Sequence, residues 1–390
     1  MGRLADLASP GPQPDPYQRQ RKPYPDGWQP RVEHDESGGY LVTAPSQSAP
    51  EHDQALRDYG LDPSQWVVTS RRISRWQVYG GDWLEAARLS FAPRSLSAST
   101  KADADQLVET IGKWKPRKPV KASRVAATGT FFQPTGDTQI GKVDGDGSEG
   151  TVGRFLSQLD ESVDRYRKHP AEVVALPWLG DCIEGIWSQG GSLRMRLDLA
   201  PAEMVRVYRR LIWAQVRAFA AIHAGFIEIP VVPGNHDETV RTGDRMSTRY
   251  DDSWAIDGAS AVADGCAENP DLRDRVRFIF PKSDQLGIVR EYDGLAVGMT
   301  HGHQFGRDPF KWWDAQAGGR TPLGDADILM AGHLHHLHIK DHGGSRLFFQ
   351  IPALDGGSQW FQHRHGQDSP PRLVTFTIRD GHVRDLDPVL

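Results

Sequence analysis

Five short apolar runs in this chain end on the same punctuation: a glycine with an acid, an amide or an imidazole close by. Residues 125–132 lead into Gly136-Asp137-Thr138-Gln139, and 172–179 into Gly180-Asp181-Cys182-Ile183-Glu184-Gly185. Residues 226–232 lead into Gly234-Asn235-His236-Asp237-Glu238, 295–300 into His301-Gly302-His303, and 327–330 into Gly332-His333-Leu334-His335. Short apolar runs bounded by glycine and proline read as strands. Longer stretches with helical spacing lie among them. In 151–168, Phe155, Leu159, Val163 and Tyr166 share one face. A second helix starts at Pro201, suited to a first turn, and has stopped by Gly225. Helices are also read at 254–268 and 309–317, and strands at 276–280, 288–292, 346–351 and 373–378. Such alternation is satisfied by a layered α/β arrangement, with helices covering sheets.

Ahead of this region the character differs. Residues 1–50 are rich in proline and polar residues and are read as a disordered tail. Residues 51–120 are read as a small β-rich module, with two strand-like runs flanking Gly80-Gly81 as a hairpin. Residues 121–390 form the main α/β domain in this reading. From Gln65 to Arg124 there are 12 Lys or Arg against 5 Asp or Glu, with Trp66, Trp76, Trp83 and Trp114 among them. Cationic side chains interleaved with aromatic faces suit a nucleic-acid strand, through phosphate contact and base stacking. The plainer reading is a β module with a tryptophan core and solvated arginines.

Charge and composition exclude other classes. The net charge of −5 over 390 residues rules out a uniformly basic nucleic-acid binder. No run approaches the ~18 apolar residues of a membrane helix, so no membrane partner is expected. The start lacks the pattern of a secretory signal. Two cysteines, Cys182 and Cys266, do not make a disulfide framework, and a cytoplasmic location is expected.

The strand-end loops offer carboxylates (Asp137, Asp181), amides (Gln139, Asn235) and imidazoles (His301, His333, His335). In layered α/β domains, sites form where loops leave the carboxyl ends of strands. Seven donors of mixed oxygen and nitrogen type exceed what one tetrahedral zinc uses. They suit two divalent ions sharing a carboxylate, with manganese first and magnesium, iron or zinc also meeting the donor set. A water between two such ions ionises near neutral pH and can attack a phosphate ester held by the same pair. His236, next to Asn235, is placed to give a proton to the leaving oxygen, with Asp237 or Glu184 orienting it.

In this order, GDTQ, GDCIEG, GNHDE, THGH and GHLH resemble the motifs of the calcineurin-like metallophosphoesterase superfamily over roughly residues 121–355. The resemblance implies a four-layer α/β/β/α sandwich. It implies that Asp137, Gln139 and His335 hold one ion, that Asn235, His301 and His333 hold the other, and that Asp181 bridges them. It gives His236 the role of stabilising the transition state or protonating the leaving group, and leaves Glu184 and His303 around the ligands or the substrate. The family usually has histidine where Gln139 stands, which puts the first ion in doubt. His336, His338 and His342 match no motif and are read as rim or strand residues.

The absence of the arginine that follows the second motif in protein phosphatases turns the reading away from them. GNHD with a late GHxH is closer in style to SbcD-type and phage-encoded DNA exonucleases, which implies DNA as substrate and a role in DNA repair or replication. The location would then be host cytoplasm for a phage-encoded protein, with an ATPase or self-association partner unspecified. The sequence leaves two other functions open: a small-molecule phosphodiesterase or phosphomonoesterase, and a non-catalytic nucleic-acid-binding relative.

Overall fold

A computed structural model describes residues 29–35, 38–77, 81–93, 102–116, 128–186, 197–242, 245–246, 248–306, 308–357 and 369–389. Residues 1–28 of the expected tail and 125–127 of the first expected strand lie outside that set. The chain divides into two compact units, Met1–Ala98 and Ser99–Leu390.

The first unit is a four-stranded antiparallel sheet of β1 (Arg31–Asp35), β2 (Gly38–Val42), β3 (Trp66–Gln77) and β4 (Trp83–Pro93), with helix α1 (His52–Asp58). The spatial order is β1-β2-β4-β3. The hairpin expected around Gly80-Gly81 is the β3–β4 pair. β1 and β2 fall inside the stretch read as an irregular tail. The prolines that motivated that reading stop at Pro30 and resume at Pro45, leaving a window free to donate a full ladder. Leu41, Leu56, Leu61, Ala87, Leu89 and Phe91 form the core of this unit. Trp66 packs edge-on against Phe91, with ring centroids 5.3 Å apart, so the plain structural reading holds for it. Trp83 does not: it is 49% exposed, with the Arg75 guanidinium 5.0 Å from its ring centroid.

The second unit opens with α2 (Ala104–Lys113), capped by Asp103, whose carboxylate accepts from Asp105 and Gln106 N–H groups. Leu107 and Ile111 of this helix join the core of the second unit, although they precede residue 121. There follow β5 (Thr130–Phe132), α3 (Gly147–Lys168), β6 (Val173–Ala175), α4 (Pro201–Ala220), β7 (Phe226–Pro230) and a two-residue ribbon, β8 (Arg241–Thr242) with β9 (Arg245–Met246). Next come α5 (Trp254–Glu268), β10 (Val276–Ile279), β11 (Gly287–Tyr292), β12 (Leu295–Thr300) and α6 (Pro309–Gly318). The last elements are β13 (Ile328–Ala331), β14 (His338–Asp341), β15 (Leu347–Gln350), β16 (Val374–Arg379) and β17 (His382–Pro388).

Two sheets result. One has the order β10-β7-β6-β5-β16-β17, with its first four strands parallel; the other is β11-β12-β13-β15-β14, with a parallel centre and antiparallel edges. Side-chain alternation assigns the layers. In the first sheet Phe131 and Val174 point into a core shared with α2, α3, α4 and α5, while Phe132 and Ala175 point the other way. In the second sheet Ile328, Met330 and Phe349 meet Phe132 and Ala175 in the inter-sheet core. Leu329, Ala331 and Phe348 point outward, onto Trp313 of α6 and Phe305. The architecture is the expected α/β sandwich of four layers, α/β/β/α. Among the described residues no helix is long and apolar enough to cross a membrane.

Candidate metal centre

Three strands of the first sheet meet a proline at or just beyond their ends. Pro134, Pro177 and Pro230 lack N–H donors, and the ladder continues past them as single bridges joining Thr135, Trp178 and Val231. Each proline still serves as an acceptor where its geometry allows. Thr135 N–H bonds Pro177 O at 2.8 Å, and Trp178 N–H bonds Pro230 O at 2.8 Å. The chain is thus held in register up to the point where the three loops leave.

Those loops meet in one place, and their backbone is strained there. Among the described residues nine non-glycine residues have positive φ, and five of them are candidate ligands: Asp137, Gln139, Asp181, His333 and His335. Each such conformation costs about 1–3 kcal/mol and persists only where the surroundings impose it. Here the surroundings are other loops. Asp137 N–H bonds Gly180 O and Gln139 N–H bonds Asp181 O, both at 3.0 Å. Asp181 Oδ1 accepts from His236 N–H at 2.8 Å, and Asp137 Oδ2 accepts from His333 N–H at 2.9 Å. Gly180, at φ +82°, has no room for a side chain: a Cβ would stand 2.7 Å from Gly234 N and 2.8 Å from His301 Nδ1.

One half of the centre is built on Asp181. Its Oδ2 lies 3.0 Å from His301 Nε2. His301 Nδ1 donates to Leu179 O at 2.7 Å, which leaves the Nε2 lone pair facing inward. Donor atoms of Asp181, His301 and His333 all fall within 4.8 Å of one another. Asn235 sits between two anchored amides, those of Gly234 and His236. The other half is built on Asp137, whose Oδ1 lies 3.3 Å from His335 Nε2. Gln139 Oε1 accepts from Lys142 Nζ at 2.9 Å. Asp355 Oδ1 stands 3.5 Å from His335 Nδ1, and Asp355 Oδ2 pairs with the Lys142 ammonium.

A divalent cation fits this donor set. Asp137 Oδ1, Asn235 Oδ1 and His301 Nε2 are buried and make no hydrogen bond among the described residues. Acceptors gathered without donors are costly unless a cation satisfies them. Carboxylate, carboxamide and imidazole donors with no thiolate match a hard or borderline ion. The electrostatics agree. Burial works against charge on His301 and His335, yet facing carboxylates outweigh it, raising them to about 9 and about 10. Burial likewise opposes charge on Asp181, but His301 and His236 hold it far below the usual carboxylate range. His333 goes the other way, lowered to about 4 by burial and by His301 beside it.

His236 stands at the edge of the cluster. Its Nδ1 lies 3.1 Å from Glu184 O and 3.3 Å from Glu184 Oε2, and its Nε2 faces Asp181 Oδ2 at 3.9 Å. Burial opposes its charged form, but Asp181 and Glu184 raise it to about 10. Of the two acids considered as its orienting partner, Glu184 is the one against the ring. The Asp237 carboxylate is spent on backbone: it accepts from Cys182 N–H at 2.9 Å, Ile183 N–H at 3.2 Å and Gly234 N–H at 3.0 Å. It therefore ties the Asp181 loop to the Asn235 loop. His303 starts a short 3-10 turn, its ring centroid 5.5 Å from that of His301 and 6.3 Å from that of His333.

Two residues of the centre were absent from the sequence reading, Lys142 and Asp355. Asp355 carried the same signal as the others, an acid beside glycine after a strand, in Leu354-Asp355-Gly356-Gly357. Lys142 carried none. The remaining histidines of the 331–340 cluster are placed at the edge and on a strand. His336 Nδ1 bonds Leu334 O at 2.7 Å, and His338 lies on β14 near Phe348. Nearby, His342 Nε2 is 2.7 Å from Asp314 Oδ1. Both cysteines are buried free thiols.

No protein-family model matches the sequence, and no curated protein matches it. Solved structures that the chain is similar to include Vps29 from Entamoeba histolytica complexed with zinc, at 14% identity, covering 67% of this chain and 99% of that one, with a TM-score of 0.28. A predicted phosphoesterase from Streptococcus pneumoniae has 16% identity, 65% and 86% coverage and a TM-score of 0.28. Phosphopantetheinyl hydrolase from Mycobacterium tuberculosis has 11% identity, 62% and 94% coverage and a TM-score of 0.26. The candidate centre rests on the geometry of its own residues and not on these likenesses.

Proposed function

We propose that this chain is a metal-dependent phosphodiester hydrolase that acts on DNA, as an exonuclease. The carrying observation is the convergence of Asp181, His301 and His333, with acceptors of Asp137, Asn235 and His301 that make no hydrogen bond among the described residues, beside His236, whose ring faces the carboxylates of Glu184 and Asp181. Divalent ions bound there supply positive charge to a phosphoryl oxygen and acidify an attacking water. The protein's own part is positional and acid–base. Asp181, with one oxygen fixed by the His236 amide, keeps the other beside His301 Nε2, where it would help hold an ion. His301 is locked as a lone-pair donor by Leu179 O. His236 keeps one proton on Nδ1 toward Glu184 and offers the Nε2 proton to the departing oxygen. With an ion drawing on Asp181, Glu184 remains as the carboxylate that keeps the ring charged.

The choice of a polymer is supported by the first unit. Its sheet carries Arg75 over exposed Trp83, and Arg31 and Arg88 at 5.2 and 4.6 Å from the Tyr40 ring. Such pairs suit a strand whose bases stack and whose phosphates are neutralised. The Trp313 ring offers no stacking face, because it is fully buried and donates to Leu323 O at 2.8 Å.

The test is incubation of the full chain and manganese with end-labelled single- and double-stranded DNA. Progressive shortening is expected. Rapid turnover of a small diester with intact DNA would replace this reading by a small-molecule phosphodiesterase. DNA binding with neither activity would make the chain a non-catalytic relative.

A further inference from the structure

The first half of the centre already contains a cation supplied by the chain. Lys142 follows Gln139 by one turn, and its N–H bonds Gln139 O at 3.0 Å. Its side chain is 11% exposed, and that of Asp355 is 3% exposed. The Lys142 ammonium donates to Gln139 Oε1 and pairs with Asp355 Oδ2, while Asp355 Oδ1 faces His335 Nδ1. Of the three residues assigned to the first ion, Gln139 is therefore already engaged at its would-be ligand oxygen, while His335 meets the same buried ion pair only through Nδ1 and keeps Nε2 toward Asp137. The second half is built differently. Among the described residues no lysine or arginine is hydrogen-bonded to or ion-paired with Asp181, Asn235, His301 or His333.

We propose that Lys142 is a built-in counter-charge at the first position, so that the resting protein holds one divalent ion tightly, on Asp181, Asn235, His301 and His333, and a second only weakly. The proposal rests on the metal-dependent reading above and refines its ion count. Three physical points support it. An ammonium and a divalent ion a few ångströms apart repel strongly where water cannot screen them. The carboxamide of Gln139 is neutral and a weaker donor to first-row ions than imidazole, so little is gained by displacing the lysine. A buried lysine parted from its carboxylate would be left as an uncompensated charge, which anchors it to Asp355.

The test is a calorimetric titration of the metal-stripped full chain with manganese chloride. The wild type is expected to bind one ion tightly and a second at least about tenfold more weakly, the size of effect that a buried like charge exerts. Lys142→Met, and the charge-neutral pair Lys142→Met with Asp355→Asn, should each narrow that gap to less than about threefold. Gln139→His should narrow it in part. Circular dichroism checks that each variant is folded; the wild-type count decides the matter without any variant. Two equally tight sites in the wild type, or a gap unchanged in folded Lys142 variants, would overturn the role given to Lys142 and leave the hydrolase reading standing. No ion bound by the wild type would overturn both.

Discussion

At the residue scale, roles divide between side chains that converge on the proposed ion positions and side chains that hold the loops. His236 belongs to neither ligand set, yet its ring is fixed by Glu184 and points Nε2 at Asp181. His236→Ala is therefore expected to lower kcat by about 10²–10⁴, the span of a lost general acid, while elemental analysis finds the metal content unchanged. Loss of the ions with the ring would show it to be a ligand instead. Asp237 illustrates the other class. Three backbone N–H groups converge on its carboxylate, and burial followed by the Asp181 charge raises it to about 7. Asp237→Ala would leave three buried donors orphaned, at about 1–3 kcal/mol each, reduced where water enters the space left behind. A loss of at least ~3 kcal/mol in urea unfolding of the metal-free protein is expected, together with weaker manganese binding. These two neighbours in sequence, both chemically able to do acid–base work, are separated by which way each side chain faces.

At the element scale, the α4–β7 connection shows how a helix end is joined to the sheet. His223 Nδ1 lies 2.8 Å from Tyr166 Oη of α3, and its Nε2 lies 3.0 Å from Phe226 O at the start of β7. Burial lowers its pKa, the Phe226 carbonyl opposes, and Arg275 lowers it further. The sign follows from linkage: above the unfolded value near 6.5 neither state is charged, and the stabilising contribution is intact. As pH falls below 6.5 the unfolded chain takes up a proton that the folded chain resists, so stability is lost. Urea midpoints from pH 7.5 to 5 should fall less steeply in His223→Gln than in the wild type. Parallel slopes would show that this ring does not carry the effect. The elements themselves were readable where period and punctuation agreed: helices from 201 and at 254–268, and strands 295–300 and 327–330, appear within a few residues of expectation. The run at 172–179 became a three-residue strand because Pro177 removes a ladder donor, a local fact visible in the sequence but outweighed by apolar content in its reading.

At the scale of the whole molecule, the proposed centre would couple ion binding to folding, because Asp137, Asp181, Asn235, His301, His333 and His335 come from five separate loops of the second unit. An ion that binds only the assembled cluster stabilises it by about 2.7 kcal/mol at a hundredfold excess over its Kd. Manganese should therefore raise Tm, and a chelator should reverse the rise. Because His301 and His335 hold protons up to about 9 and about 10 in the ion-free protein, ion entry releases protons. The thermal shift at fixed manganese should accordingly be larger at pH 8 than at pH 6. A shift independent of pH would mean that these two imidazoles are not displaced from their protons by the ion.

Local chemistry was enough to mark the residues that converge. Glycine beside a donor-type side chain at a strand end is a pattern of neighbours in the chain, and neighbours are what a sequence displays directly. The layered architecture was legible for the same reason, since periods of two and of about 3.6 record which faces must be buried. Whether Asp237 served chemistry or scaffolding, which acid held His236, and that Lys142 and Asp355 would bring a private ion pair against Gln139 and His335 were decided only by the tertiary structure. Those outcomes depend on directions and on distances between segments up to 213 residues apart, as for Lys142 and Asp355. In a buried, poorly screened site a difference of one side-chain direction decides whether a charge is a ligand, a tether or a competitor.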